Sequence, residues 1–355
     1  MEWFFAITVA VGLIWAAVLL FRGSLMAVCL AFLFANACFG FFFFQTRVGP
    51  IEFTLDRILL ILVACSYVLH RRLRQTEPKP LGKSDWIVLA FLGWLTLRTF
   101  TDRWWQADLD FPKPVWHLIV GYLSPLFIYW VVRNSPLTQR NIRLMNHFFI
   151  GLGIYLGFTA IAEVTGQWWA VFPWHIADPE VGLHFGRARG PMVHSIVLGF
   201  VLSICLCAAW IHRRRLGFYG QLALVACLPL LLAGIYFSYT RCVWMGGVLG
   251  LLIVAGLTAT RRTRILIVAG VLSMGLLVTV AKWDSILNFQ GGRSAADTRN
   301  SAYMRTSFAY VSWQMFKDAP FLGHGFGQYV NKSNLYVTDR STSLTLESIR
   351  DQLHH

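Results

Sequence analysis

Charge is what this 355-residue chain has least of: 14% of its residues are Asp, Glu, Lys or Arg, where soluble domains carry about a quarter. With 56% of residues hydrophobic and a mean hydropathy of +0.56, that shortage excludes a soluble enzyme with an apolar core, and the hydrophobicity excludes a disordered chain. Metal-ligand spacings are missing as well. All seven cysteines (29, 38, 65, 205, 207, 227 and 242) lie in or at the edge of apolar segments, with no CxxC or Cys/His pattern. Cys205 and Cys207 are too close for an ordinary disulfide, which leaves the cysteines as small core side chains. A cleavable signal peptide is not expected either. Glu2 stands where a basic n-region would be, and the apolar stretch runs on past Ala17.

What the chain does have is long apolar runs, such as Val193 to Ile211 and Ile265 to Ala281, close to the ~20 residues that cross a bilayer as helix. Ten spans are read at about 3–21, 24–44, 54–69, 86–100, 116–132, 145–162, 191–211, 218–238, 242–259 and 265–281. The fold class expected is all-α, a polytopic transmembrane helical bundle over 1–281 with a long extracytoplasmic loop or tail over 282–355. Basic residues outnumber acidic ones 31 to 17, and 14 of them fall in four loops (71–83, 133–143, 213–215 and 261–264) beside only Glu77 and Asp85. These loops follow spans 3, 5, 7 and 9, always on one side, as the positive-inside rule requires. The clusters are short and each abuts an apolar span, so nucleic acid is not an expected partner. The opposite face receives Trp104, Trp105, Trp168, Trp169 and Trp174, suited to a membrane interface. No internal repeat is apparent. Within the tail, apolar residues at 304, 308, 311 and 315 predict an amphipathic helix over Ser301 to Phe316, ended by Asp318-Ala-Pro320. A Gly-rich turn, Phe321 to Gly327, follows.

Several arginines sit on the wrong side for this topology. Arg187 and Arg189 lie in Gly186-Arg-Ala-Arg-Gly190, Arg241 in the short turn Ser238-Tyr-Thr-Arg241, and Arg305 on the tail helix. A cation near the membrane on the translocated face is costly unless paired, and Glu163, Asp178 and Glu180 are all distant in sequence from Arg187 and Arg189. An anionic ligand is one reading, because guanidinium grips phosphate bidentately and stays charged. Snorkelling to lipid phosphates, or ion pairs with acids such as Asp297 or Asp318, is the other. Asp108-Leu-Asp110 has the form of a metal-diphosphate motif but matches by chance often. Gly323, Gly325 and Gly327 are no dinucleotide fingerprint and make a tight turn whose N–H groups could contact an anion. His184 and His194 flank the Arg187/Arg189 pair and could meet phosphate or sugar, while His324 reads as a turn residue. His354 and His355 end the chain, as a bland tail or as a candidate base.

Taken together, Gly186-Arg-x-Arg-Gly-Pro191, Ser238-x-Thr-Arg241 and Arg305…Trp313…Asp318-x-Pro-Phe-Leu-Gly-His-Gly-Phe-Gly327 resemble the O-antigen ligase/polymerase family. The likeness covers about residues 185–355. It implies a bacterial inner-membrane glycosyltransferase of the GT-C style in lipopolysaccharide or exopolysaccharide biosynthesis. Its donor would be an undecaprenyl-diphosphate-linked glycan and its acceptor a glycan or lipid A-core hydroxyl, with the site on the extracytoplasmic face. The resemblance implies inverting, metal-independent transfer with no cofactor. It implies that Arg189 (or Arg187), Arg241 and Arg305 grip the diphosphate; His194 and the Gly323, Gly325 and Gly327 turn are substrate-binding candidates from the residues themselves. The family histidine would fall on His355 or His354. The family's closing helices do not follow it, so a C-terminal truncation is expected. A transporter or flippase for the same lipid-linked glycan, and a non-catalytic assembly scaffold, are the alternatives. Paired inverted halves and mid-span charges would mark a transporter.

Overall fold

Ser24 opens the first helix, α1 (Leu25–Cys38), by accepting a 3.2 Å hydrogen bond from the Ala27 amide, which satisfies one of the donors a helix start leaves free. The computed structural model describes residues 23–39, 45–48, 51–101, 114–258 and 295–337, with several more between 260 and 273. After α1, strands β1 (Gln45–Val48) and β2 (Ile51–Thr54) pair antiparallel, Val48 opposite Ile51, and run directly into α2 (Leu55–Arg72). Helices carry the rest: α3 (Lys83–Phe100), α4 (Pro114–Arg133), α5 (Gln139–Val164), α6 (Ser195–His212), α7 (Phe218–Phe237), α8 (Arg241–Thr258), α9 (Ala295–Asp318) and the short α10 (Tyr329–Ser333). Five of them, α4 to α8, are long and apolar enough to cross a membrane.

Five of the ten expected spans, 116–132, 145–162, 191–211, 218–238 and 242–259, coincide with helices long and apolar enough to cross a membrane, and the other described segments differ locally. The span expected at 24–44 is a helix only to Cys38, and the backbone is extended again by Gln45. Helices α2 and α3 occur where spans 3 and 4 were read, yet each recruits charged ends, Arg71 and Arg72 in α2 and Lys83 and Asp85 in α3. In α2 those ends suit the macrodipole, with Asp56 in the first turn and basic residues in the last. Residues 3–21 and most of 265–281 lie outside the described residues.

By its contacts the chain forms two units, Met1–Pro78 with Val131–Ala281, and Lys79–Trp130 with Lys282–His355. In the first, α5 packs on α6 and α7, α6 on α8, and α1 on α2. Leu152, Leu156, Leu198, Leu202 and Leu231 fill the centre of this packing. Close approach is bought by glycine: a Cβ on Gly157 would lie 2.7 Å from the Leu230 carbonyl oxygen, and one on Gly199 2.4 Å from Val243 Cγ1. Small residues at helix crossings are how bundles in lipid gain dispersion contacts when the hydrophobic effect gives no preference.

In the second unit, Asp85 accepts from the Gly82 amide at 2.6 Å and from the Tyr129 hydroxyl at 2.7 Å, joining the start of α3 to α4. Val311 and Met315 bury their side chains beneath Phe308, Tyr310, Tyr329 and Tyr336. This matches the apolar stripe predicted for the tail helix, although the helix starts earlier, at Ala295, and Trp313 and Phe316 stack on each other at the exposed surface.

Candidate functional site

The loop between α5 and α6 is built around one carboxylate. Glu163, in the last turn of α5, accepts from the backbone amides of Arg189 (2.8 Å) and Gly190 (3.0 Å) through Oε2, and from Arg189 Nε through Oε1 at 3.3 Å. The Arg189 side chain is fully buried. Its terminal nitrogens donate to the carbonyls of Val181 (2.6 Å), Ile176 (2.7 Å) and Asp178 (3.2 Å), and Phe185 covers the guanidinium face 4.7 Å away. Of the readings left open for these arginines, Arg189 takes the ion pair, and its partner is Glu163 rather than Asp297 or Asp318. Glu163 is 26 residues away in sequence and in direct contact, because α5 delivers it to the returning end of the loop. A buried charge is tolerable only when paired and fully hydrogen-bonded, and Arg189 meets both conditions.

Further bonds close the loop. His175, itself buried, donates from Nε2 to the Pro191 carbonyl at 3.0 Å, and Tyr155 of α5 donates to the Phe172 carbonyl. Leu183 N–H reaches the Val193 carbonyl at 3.1 Å beside Gly182, where φ is +79° and a Cβ would lie 2.3 Å from that same oxygen. Only glycine fits there.

The loop is also tied to the turn before α8. Ala188 N–H donates to Phe237 O at 3.0 Å, and Arg187 donates to the Tyr239 carbonyl at 3.3 Å. Ser238 is fully buried, with its hydroxyl on Ile235 O at 2.7 Å, and Thr240 places its hydroxyl on Ser238 O at 2.9 Å. Arg241, the first residue of α8, is exposed. Anions favour a helix N-terminus, so a guanidinium there adds to the pull of the helix dipole on a phosphate. His184, Val193 and Tyr239 all have positive φ. Strained backbone of this kind, costing about 1–3 kcal/mol per residue, gathers at functional sites. The rings of His184 and His194 lie 6.4 Å apart, and His194 Nδ1 is buried with no hydrogen-bond partner among the described residues.

The structure thus brings Arg187, Arg189, His184 and His194 together around the loop and joins Arg187 to the Ser238–Arg241 turn. Sequence reasoning named Glu163 among the acids of this loop but set it aside as distant from both arginines. The signal was there: an acid in the last turn of an otherwise apolar span needs a cation nearby.

Arg305 and the glycine turn belong to the second unit. Arg305 is exposed on α9. The predicted turn is present, with φ of +65°, +101° and +71° at Gly323, Gly325 and Gly327. His324 points back from it, donating from Nε2 to Met315 O at 2.9 Å, and Phe326 packs 5.5 Å from the His117 ring and 5.7 Å from Tyr122. Arg98 donates to the Gly323 carbonyl at 3.4 Å. Replacing Gly325 by Ala is expected to strain this turn by about 1–3 kcal/mol. Faster limited proteolysis within 319–328 would report it, and unchanged cleavage would contradict the geometry. Asp108, Asp110, His354 and His355 lie outside the described residues.

These features define a helical membrane protein with an arginine-bearing loop held against a helix-opening turn. Residues 226–347 match the family model described as O-Antigen ligase. That segment is similar to the O-antigen ligase family, the one its motifs resemble, and it contains Arg241, Arg305 and the glycine turn. The loop with Arg187 and Arg189 precedes it. No curated protein and no solved structure matches the chain.

Proposed function

We propose that the chain is a membrane glycosyltransferase that moves a glycan from an undecaprenyl-diphosphate carrier to an acceptor hydroxyl in glycan assembly. The observation that carries this reading is the hydrogen-bonded junction of the Arg187 loop with the Ser238–Arg241 turn, at the edge of the segment similar to the O-antigen ligase family. The topology that fits it is the ten-span arrangement, basic loops in the cytoplasm of a bacterial cell and the junction on the outer face.

In this reading the acceptor oxygen attacks the anomeric carbon and the bond from that carbon to the diphosphate oxygen breaks with inversion. Undecaprenyl diphosphate leaves with the bonding electrons. The hydroxyl proton passes to a base, for which His355 or His354 is the candidate. Diphosphate is a good leaving group, so the chemistry asks mainly for stabilisation of the charge that develops on it and needs no metal. Arg241 and Arg187 are the groups we assign to that task. Arg189 is assigned a different one. Its donors are committed to Glu163 and three carbonyls, so it acts as a positioning residue that sets the loop from which Arg187 reaches the turn.

Replacing Arg241 by Ala is expected to lower transfer by about 10²–10³-fold, the usual loss for one preorganised charge-stabilising donor. Thermal stability is read in parallel, and loss of transfer at unchanged stability supports the assignment. Membranes given a lipid-linked glycan would be assayed for release of undecaprenyl diphosphate. Full release by the variant overturns the assignment, and glycan translocation without release would point to a transporter.

A further inference from the structure

A second polar site lies at the other end of the first unit. An open cavity of about 930 Å³ is lined by the start of α1, the end of α2 and the first two turns of α5. Its volume falls in the range of small-molecule sites. The lining holds two arginines and two histidines, and no Asp or Glu. Arg140, Arg143, Leu144 and His147 recur three and four residues apart on one face of α5. Thr138 caps that helix by accepting from the Asn141 amide at 3.2 Å, so the positive end of a 26-residue dipole opens on the same space.

The two histidines are each held through Nδ1 by a carbonyl of their own helix. His70 is nine-tenths buried and donates from Nδ1 to Ser66 O at 2.8 Å, and His147 donates from Nδ1 to Arg143 O at 2.8 Å. Among the described residues no carboxylate pairs with Arg140 or Arg143; Arg143 Nε donates to the Gln139 carbonyl at 3.4 Å, and the His147 ring packs edge-on to His212 with centroids 4.9 Å apart. Nearby, Arg215 bonds Gln139 at 3.0 Å, adding positive charge close to the helix start. Arg140, Arg143 and His147 are exposed and His70 is buried behind them, so the open side of the cavity presents positive charge that an anion can meet.

We propose that this cavity binds a phosphate group. At about 1.5 Å rise per residue, α5 separates its lining residues Arg140 to His147 from Glu163 by about 24–35 Å, so it is a site distinct from the transfer junction and independent of that reading. A phospholipid headgroup and a free phosphorylated solute share this chemistry, and Leu144 at the rim would suit the acyl chains of the former.

The test uses the full chain in two arms. Inorganic phosphate is titrated against detergent-solubilised protein by calorimetry, with chloride at equal ionic strength as the reference. In parallel, the protein is reconstituted with mixed phosphatidylglycerol and phosphatidylcholine, and retained lipid is read by native mass spectrometry. Wild type should prefer phosphate, phosphatidylglycerol or both over the references. Loss of two charge-assisted contacts in Arg140→Gln/Arg143→Gln should weaken that preference about tenfold or more. Preference in the phosphate arm alone identifies a soluble ligand, and preference in the lipid arm identifies a headgroup. Leu144→Glu, which sets a carboxylate four residues from Arg140 and three from His147 and so neutralises the site from within, should produce the same loss and decides the matter if the double variant fails to fold. No preference in either arm, or a preference that survives Leu144→Glu, overturns the proposal.

Discussion

Glu163→Ala should be among the most damaging single substitutions in the described chain, costing about 3–5 kcal/mol, because it leaves Arg189 charged, buried and without its counter-ion. Two backbone amides lose their acceptor in the same step. Thermal unfolding in detergent should shift down, and protease sites between 165 and 190 should open first. Arg189→Lys does not substitute. A lysine carries the charge but not the planar fork that reaches Glu163 and three carbonyls at once. The informative companion is Glu163→Gln/Arg189→Met, which removes both charges. Buried ion pairs replaced as a unit by apolar groups are often neutral in stability, so the double variant should be more stable than either single one. If it also regains transfer, the loop alone is what Arg189 supplies. If it is stable yet inactive, Arg189 touches the donor and its assignment as a positioning residue is wrong.

The second large effect concerns helix packing. Gly157→Ala places a methyl group 2.7 Å from the Leu230 carbonyl oxygen. That contact is with backbone, so relief requires α5 and α7 to separate, and a cost of about 1–3 kcal/mol is expected for overpacking. Gly151, on the same helix, has nothing within 4 Å of its Cβ position. Gly151→Ala should therefore be neutral or slightly stabilising, as alanine is the better helix former. Equal losses at the two positions would mean that helix propensity, not the α5–α7 crossing, governs the result.

Both predictions rest on features that differ in how visible they were in the sequence. Helices α5 to α8 are legible because a sustained apolar run has few alternatives to a spanning helix, and their observed ends fall within two residues of the expected ones apart from the starts of α5, which begins at Gln139 rather than 145, and of α6. The start of α6 moves from 191 to Ser195 because Pro191 to Val193 turn inside the loop and His194 takes the flanking position. Hydropathy cannot see that turn. Nor does it register the stop at Cys38, since aromatic residues continue through Phe44 without a charge. The arginines were conspicuous as breaches of the positive-inside pattern, and the pattern said nothing of their partners. Whether a cation is exposed, as Arg241 is, or sealed, as Arg189 is, depends on which helix end returns to meet it. Residue types 26 positions apart carry no periodicity that would show this.

The carboxylate at the end of α5 has one more consequence. Peptide N–H groups, guanidinium and carbonyls satisfy one another inside the 163–190 segment, so its shape is complete before any visitor arrives. A lipid carrier meeting such a surface loses its own freedom but need not organise the protein, and little affinity is spent on ordering the receptor. Capture should then be governed by how often the carrier's headgroup drifts within reach, rather than by a slow refolding of the segment that greets it.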